Sequence, residues 1–179
     1  MSQIGNVYGQ ALYGLAKDEG LSDVVLQQIK VLEQSFREEP QFLRLLSAPN
    51  IAVPERCRII DECFRGKVHQ YILNFLKILT EKGAIKSFPA CVGVYEDQYN
   101  TDHQILPVTV VSAVALSSEQ MKRLSEKLSQ ITGKHASVIN RIDPQCLGGV
   151  RLDYDGKRID GSVAQRLAAV RTMLKNTVL

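Results

Sequence analysis

The chain has 179 residues, of which 45% are apolar and 23% charged, as in ordinary globular proteins. This length suffices for one large or two small domains. No apolar run approaches the roughly 20 residues that a membrane-spanning helix needs. The four cysteines and three histidines are spaced too irregularly for a zinc motif or a disulfide framework, so we predict no metal site.

The formal net charge of +3 is distributed unevenly along the chain. Residues 1–104 hold 11 Lys and Arg against 13 Asp and Glu, whereas residues 105–179 hold 11 against 6. The second part of the chain is therefore predicted to prefer an acidic partner.

The first 104 residues predict a series of short helices. Apolar residues recur at helical spacing in each segment, for example at Val25, Ile29, Leu32 and Phe36 in the second, and Gly or Pro separates the segments. Six short helices with brief turns favour an antiparallel bundle. We therefore predict an N-terminal six-helix antiparallel bundle.

The fifth predicted helix, from about Val68 to Lys82, is apolar over more than half of its circumference. Between Tyr71 and Leu79 only Asn74 and Lys77 are polar. A helix that packs one face needs an apolar stripe of only about 100°. Two interpretations stay open: a central helix surrounded by its neighbours, or a helix with one face for the core and another for a partner.

A polar stretch at residues 100–104 separates these helices from a region with a different periodicity. Residues 107–113 are rich in β-branched side chains and predict a strand with Pro107 at its edge. Residues 138–142 predict a second strand, parallel to the first because a helix connects them. We expect the intervening helix to begin with a capping box and to carry an apolar stripe at Met121, Leu124, Leu128 and Ile131.

Residues 148–170 predict a hairpin that leads into a terminal helix. Val150, Leu152 and Tyr154 alternate with charged residues, and Asp155-Gly156 is typical of a type I′ turn. Ser162 is predicted to cap the helix, with Gln165 closing a capping box, and the helix stripe is expected at Val163, Leu167, Val170 and Leu174.

The predicted fold class is therefore α+β. We expect a helical domain at residues 1–104 and a small two-layer α/β domain with a mixed sheet at residues 105–179. Neither a phosphate-binding nor a dinucleotide-binding glycine motif occurs. Asp160 and Ser162 would suggest catalysis only if a histidine lay beside them, which nothing in the sequence indicates. We predict a binding protein that is not an enzyme and has no cofactor.

Several motifs occur in the order found in one known family. Tyr8-x-x-Ala11-Leu12 opens the chain, Glu81-Lys82-Gly83 follows the fifth helix, and Asp143-Pro144-x-x-Leu147-Gly148-Gly149-Val150 precedes an Ile-Asp-Gly-Ser-Val helix start. This set closely resembles the delta subunit of F-type ATP synthases, whose mitochondrial counterpart is the oligomycin sensitivity-conferring protein. Ala84 departs from the pattern, since family members usually carry Arg there.

The resemblance implies a stator subunit that links the catalytic head to the peripheral stalk, so that ion flow couples to ATP synthesis. It implies that Tyr8, Ala11, Leu12 and Ile78 contact the N-terminal helix of an alpha subunit, and that the C-terminal domain holds the b subunits. It further implies a peripheral position at the cytoplasmic face of the cell membrane, with no nucleic acid or small-molecule substrate. The structural signature comprises Gly148, Gly149, Gly156, Asp160, Gly161 and Ser162.

An alternative function is nucleic-acid binding, or another adaptor role, through the basic C-terminal domain. Against nucleic acid, the cations are interspersed with Asp153, Asp155 and Asp160, and aromatic side chains for base stacking are nearly absent there.

The polar stretch and the change of periodicity predict that the two domains fold separately. A fragment of residues 1–104 should show cooperative helical unfolding when followed by circular dichroism, because its apolar stripes can be buried without the rest of the chain. A fragment that melts without a cooperative transition would contradict this boundary.

Overall fold

The structure is a computed structural model that describes residues 3–167, with side chains from Ile4 onward. The chain is α+β and divides into two compact units, Met1–Tyr99 and Asn100–Leu179. The first unit is helical, and the second is built on a four-stranded sheet.

The first unit contains the helical segments that the apolar periodicity predicts. Pro40 and Pro54 stand in the first turns of α3 and α4, where a missing N–H costs no helical hydrogen bond. The elements are α1 (Gln3–Asp18), α2 (Ser22–Glu38), α3 (Pro40–Leu46), α4 (Val53–Phe64), α5 (Gln70–Glu81), a 3₁₀ turn (Ile85–Ser87) and α6 (Phe88–Asp102).

Aromatic rings join several of these helices in the core. The ring of Phe36 on α2 lies 5.7 Å from that of Phe42 on α3, 6.1 Å from that of Phe64 on α4 and 5.2 Å from that of Phe88 on α6, measured between centroids. Edge-to-face and offset contacts of this kind add roughly 0.5–1.5 kcal/mol each to the free energy gained by burial. The buried stripe of α2 ends on this cluster.

Helix α1 approaches α6 closely at a glycine. At Gly9 an added Cβ would lie 2.7 Å from the carbonyl oxygen of Cys91 and 2.9 Å from the Cβ of Val94, so the α1 backbone lies directly against α6. The buried residues of α1 are Gly5, Gly9, Leu12, Tyr13 and Ala16. Ala11 and Leu15 of the same helix point to solvent instead.

Helix α5 is mostly surrounded by its neighbours. Its buried residues are Ile72, Leu73, Phe75, Leu76, Leu79 and Thr80. The hydroxyl of Thr80 is satisfied by donating to the carbonyl of Leu76 at 2.9 Å. Of the large apolar side chains on α5, only Ile78 is exposed, at 42%. The structure therefore favours the central-helix interpretation, with a second apolar face reduced to Ile78.

The second unit contains a mixed sheet, as the sequence predicts. The elements are β1 (Ile105–Ser112), α7 (Ser118–Thr132), β2 (His135–Ile142), a 3₁₀ turn (Pro144–Cys146), β3 (Val150–Tyr154) and β4 (Lys157–Asp160), with residues 163–167 helical. The observed strand order is β2-β1-β3-β4, in which β1 and β2 are parallel and the other two pairs are antiparallel.

Pro107 does not begin the first strand as predicted, because β1 starts two residues earlier and lies inside the sheet. The pairing of β3 with β1 stops at Tyr154 opposite Val108. The residue that would face Pro107 is therefore Asp155, which belongs to the hairpin turn. A proline is tolerated here because no ladder hydrogen bond is required on that side.

Helix α7 covers one face of the sheet. Its predicted capping box is confirmed, since the Ser117 hydroxyl accepts from the backbone of Gln120 and the Gln120 side chain accepts from the backbone of Ser117. Leu124 and Leu128 pack against the sheet as predicted. Ile131 is 80% exposed, so the last residue of the predicted stripe lies outside the core.

The close contact at Gly9 predicts opposite effects for two glycine substitutions in α1. Gly9→Ala should destabilise the protein by roughly 1–3 kcal/mol, because the methyl group forces α1 away from α6. Gly14→Ala is the matched control, since no atom beyond its chain neighbours and the adjacent backbone of its own helix lies within 4 Å of its added Cβ. It should stabilise by up to about 1 kcal/mol through helix propensity. Urea unfolding of the full chain measures both, and equal effects would contradict this packing.

Candidate interaction surfaces

A second apolar face of α1 points away from the core. It is formed by Ile4, Val7, Ala11 and Leu15, all of which are exposed, and it is bordered by the half-buried Tyr8. At 3.6 residues per turn these five positions fall within an arc of about 100°. Val7 is 60% exposed. Helix α1 thus has one apolar face in the core and another exposed to solvent, the arrangement that the sequence offered as one of two interpretations of α5.

Ile78 lies on a neighbouring helix, since α1 and α5 are in contact. It follows Lys77, whose Nζ is 2.7 Å from Oδ1 of Asp61 on α4. The hydrogen bond from Lys77 holds the pKa of the Asp61 carboxyl below its usual value. One residue further along a helix is a turn of about 100°, so Ile78 points away from this ion pair. Ile78 is thus an exposed apolar side chain on a helix that contacts α1.

The four residues that the resemblance assigns to the alpha-subunit contact have different environments. Ala11 and Ile78 are exposed and Tyr8 is half-buried, whereas Leu12 lies in the core. Sequence reasoning missed Ile4 and Val7. Their spacing relative to Ala11 is the signal that could have identified them, because positions three and four apart share one helix face.

The β3–β4 hairpin has the turn that its sequence predicts. Asp155 and Gly156 have φ of 47° and 68°, as a type I′ turn requires. On the charged side of the hairpin, the Arg158 guanidinium donates to Asp153 at 2.7 Å. This bond lowers the pKa of the Asp153 carboxyl. On the other side, Leu152 and Tyr154 pack towards the core beneath α7.

The two ends of this hairpin are held together by close backbone contact. The Gly161 N–H donates to the Val150 carbonyl at 3.1 Å, and the Val163 N–H donates to the Gly148 carbonyl at 3.0 Å. Gly149 has a φ of 73°, and an added Cβ would lie 2.6 Å from the Gly161 carbonyl oxygen. Gly149 is therefore required for close approach as well as for its backbone conformation.

Ser162 caps the helical residues 163–167 as predicted, with its hydroxyl accepting from the Gln165 N–H at 3.2 Å. The reciprocal half of the predicted capping box is wrong. The Ser162 N–H donates instead to Oδ1 of Asp160 at 2.9 Å, because that carboxylate lies two residues before it in a local turn. Hydrogen bonding from Ser162 lowers the pKa of Asp160. Two members of the predicted stripe, Val170 and Leu174, lie outside the described residues.

Within residues 3–167, no cluster of His, Cys, Asp and Glu side chains has the arrangement of a metal site. In the same range, no helix has the length and apolar character needed to cross a membrane. The features that stand out are a helical unit with an apolar helix face directed to solvent and a mixed-sheet unit closed by a glycine-rich hairpin. An exposed apolar helix face of this kind is typical of an adaptor, a protein that binds other proteins.

Comparison with known proteins identifies which adaptor this is. The chain belongs to the ATP synthase delta (OSCP) subunit family, whose model matches residues 4–174. An ATP synthase subunit delta from Lactobacillus johnsonii is 32% identical over 173 residues, covering 96% of this chain and 94% of the relative. One from Clostridioides difficile is 28% identical over 176 residues, covering 98% of this chain and 97% of the relative.

A solved chain in the Toxoplasma gondii mitochondrial ATP synthase hexamer shares the fold. Its TM-score is 0.75 at 16% identity, covering 97% of this chain and 98% of that chain. Membership of the delta family makes this chain a non-catalytic stator subunit of the F-type ATP synthase, which links to the peripheral stalk. The nucleic-acid alternative finds no support in these relatives.

The hairpin geometry predicts unequal effects at two glycines that both have positive φ. Gly149→Ala should destabilise more than Gly156→Ala, because only Gly149 has a backbone atom in the space of the added methyl group. Ser162→Ala should cost on the order of 1 kcal/mol by removing the cap. Urea unfolding of the three variants measures these effects, and equal losses at the two glycines would contradict the close contact with Gly161.

Proposed function

We propose that the outward face of α1, together with Ile78 of α5, binds the N-terminal helical segment of an alpha subunit. The observation that carries this proposal is the exposed apolar arc on α1, which the core of the protein does not use. Tyr8 and Ala11 belong to this surface. Leu12 contributes from the core side, by holding α1 in place.

The chemistry of the surface suits an amphipathic helix. Helix-in-groove recognition uses apolar anchors at spacings of three and four residues, and Ile4, Val7, Ala11 and Leu15 have this spacing. Burial of one large aliphatic side chain contributes roughly 1.5–3 kcal/mol. Contacts with Val7 and Ile78 together are therefore sufficient for a substantial share of the affinity.

We infer that the six helices of residues 1–104 form an antiparallel bundle and that residues 105–179 form a second domain. The short connections between successive helices support the bundle, because such connections favour antiparallel neighbours. The role of this bundle is to present the α1 face to the catalytic head.

The second domain is proposed to hold the b subunits of the peripheral stalk. Its excess of Lys and Arg over Asp and Glu would attract an acidic stalk segment. The protein would then lie at the cytoplasmic face of the cell membrane, attached through its complex. In this position it resists rotation of the head, so that ion flow couples to ATP synthesis elsewhere in the complex.

Charge on the α1 face should abolish binding without unfolding the protein. Val7→Asp and Ile78→Asp should each weaken binding of the full chain to an alpha-subunit N-terminal peptide at least tenfold, because each removes about 1.5–3 kcal/mol of apolar burial. Isothermal titration calorimetry measures the affinity, and thermal melts measure the stability.

Two further variants complete this test. Val31→Asp is the matched control, because Val31 is 66% exposed on α2 and lies outside the proposed face. Phe75→Ala should lose about 3–5 kcal/mol of stability, as expected for a buried phenylalanine. If Ile78→Asp unfolds the protein as severely as Phe75→Ala, Ile78 has no partner role. If Val7→Asp and Ile78→Asp stay folded and bind normally, this face is not the binding site.

A further inference from the structure

One edge of the sheet in the second unit is formed by β2. The His135 N–H donates to the backbone carbonyl of Gln104, and the Asp143 N–H donates to the backbone carbonyl of Ser112, both at 2.8 Å. In a parallel pair the backbone groups of alternate residues face the same neighbour. Odd-numbered residues of β2 therefore bond to β1, and the backbone groups of Ala136, Val138, Asn140 and Ile142 point away from the sheet.

Helix α7 closes the beginning of this edge. The Ala136 N–H donates to the Ser129 hydroxyl at 2.9 Å, and the Ser125 hydroxyl donates to the Ala136 carbonyl at 2.6 Å. Two side chains of α7 thus take the hydrogen bonds that an added strand would otherwise make. This arrangement blocks pairing at Ala136 and leaves the rest of the edge unaffected.

The second half of the edge, Val138–Ile142, is open. Within residues 3–167, no strand pairs with β2 on this side, since β2 is the outermost strand of the sheet. An unpaired edge is a template for a further strand. The opposite edge, β4, has four residues, of which Lys157, Arg158 and Asp160 are charged. Short charged edges resist strand addition, so β2 is the edge suited to it.

Positive side chains flank the open half on both faces of the sheet. Lys122 precedes Ser125 by three residues and therefore lies on the same face of α7, which is directed towards β2. Ile139 and Arg141 lie together on the other face of β2, because side chains two residues apart in a strand point the same way, and both are exposed. An occupant that fits has carboxylates near Lys122 and Arg141 and an apolar side chain beside Ile139.

We propose that the edge Val138–Ile142 is a strand-addition site for an extended acidic segment of a partner protein. Main-chain hydrogen bonds to Val138, Asn140 and Ile142 would provide the pairing, and the flanking cations would select acidic sequences. A second copy of this chain fits poorly, because it would bring Lys122 and Arg141 against cations of the same kind. The proposal does not depend on the α1 face.

Amide hydrogen exchange of the full chain, resolved by NMR, tests this pairing. The probe is an acetylated and amidated EVDVEV hexapeptide, with a KVKVKV hexapeptide of the same length as its control. At saturation, the acidic peptide should slow exchange about fivefold or more at Val138, Asn140 and Ile142, since each amide gains a hydrogen bond. The amides of Ser137 and Ile139 should change little, because they already bond to β1.

Variants of the protein separate backbone pairing from charge. Val138→Pro removes an outward N–H without removing a bond to β1 and should weaken acidic-peptide binding about fivefold. Lys122→Glu combined with Arg141→Glu should weaken it further and should reverse the preference between the two peptides. Lys127→Glu is the matched control, because Lys127 lies on another face of α7 and should leave binding unchanged.

Several results would overturn the proposal. These are equal affinity for the two peptides, protection spread evenly over odd and even residues of β2, and binding that the Lys122→Glu, Arg141→Glu double variant leaves intact. Displacement of the acidic peptide by a single-stranded oligonucleotide would indicate a general charge surface instead of a strand site. A concentration-dependent dimer in sedimentation, with the even-numbered amides protected before peptide is added, would assign the edge to a second copy.

Discussion

The close approach of α1 to α6 at Gly9 is the contact on which the helical unit depends. A side chain at this position would overlap the Cys91 carbonyl and the Val94 side chain, so only glycine lets the two backbones meet. Because the glycine side of α1 faces the core, the larger residues Val7 and Leu15 face solvent. The surface proposed to hold an alpha-subunit helix is thus a direct consequence of how α1 packs. A substitution at Gly9 would disturb that surface without touching any of its residues.

The second unit depends on a contact of the same kind between two other glycines. Gly149 and Gly161 meet at a distance that excludes a side chain, and the hydrogen bonds of Val150 and Val163 lie on either side of this contact. The contact fixes where the chain leaves β4 and where the helical residues 163–167 begin. Beside this contact, Asp160 accepts from the Ser162 N–H and Ser162 caps the following helical turn. The hairpin is therefore held closed by contacts within this chain.

Each proposed interaction surface is the unpaired or exposed part of an element whose other side is packed or hydrogen-bonded within the protein. Helix α1 buries one apolar face and leaves a second, and β2 bonds to β1 and to two serines of α7 before its edge becomes open. A stator subunit must resist torque while linking different proteins, and two separate surfaces on two compact units suit that task. The surfaces also differ in chemistry. The first is proposed to bind an amphipathic helix, and the second is proposed to bind an extended acidic segment.

The helical segments, the mixed sheet, the Asp155-Gly156 turn, the caps at Ser117 and Ser162, and the family could all be predicted from the sequence. These features depend on local periodicity, on backbone conformations open to few residues, and on motif order. The folded structure was needed to show which face of α1 is buried, how Pro107 fits inside β1, and what the Ser162 N–H contacts. The first two depend on atoms that are distant in sequence. The third depends on which nearby side chain, Asp160 or Gln165, accepts the hydrogen bond. A glycine does not count as apolar in a hydrophobic pattern, so the periodicity gives no sign that Gly9 is buried. Pro107 is tolerated only because the pairing of β3 with β1 stops at Val108, the residue after it.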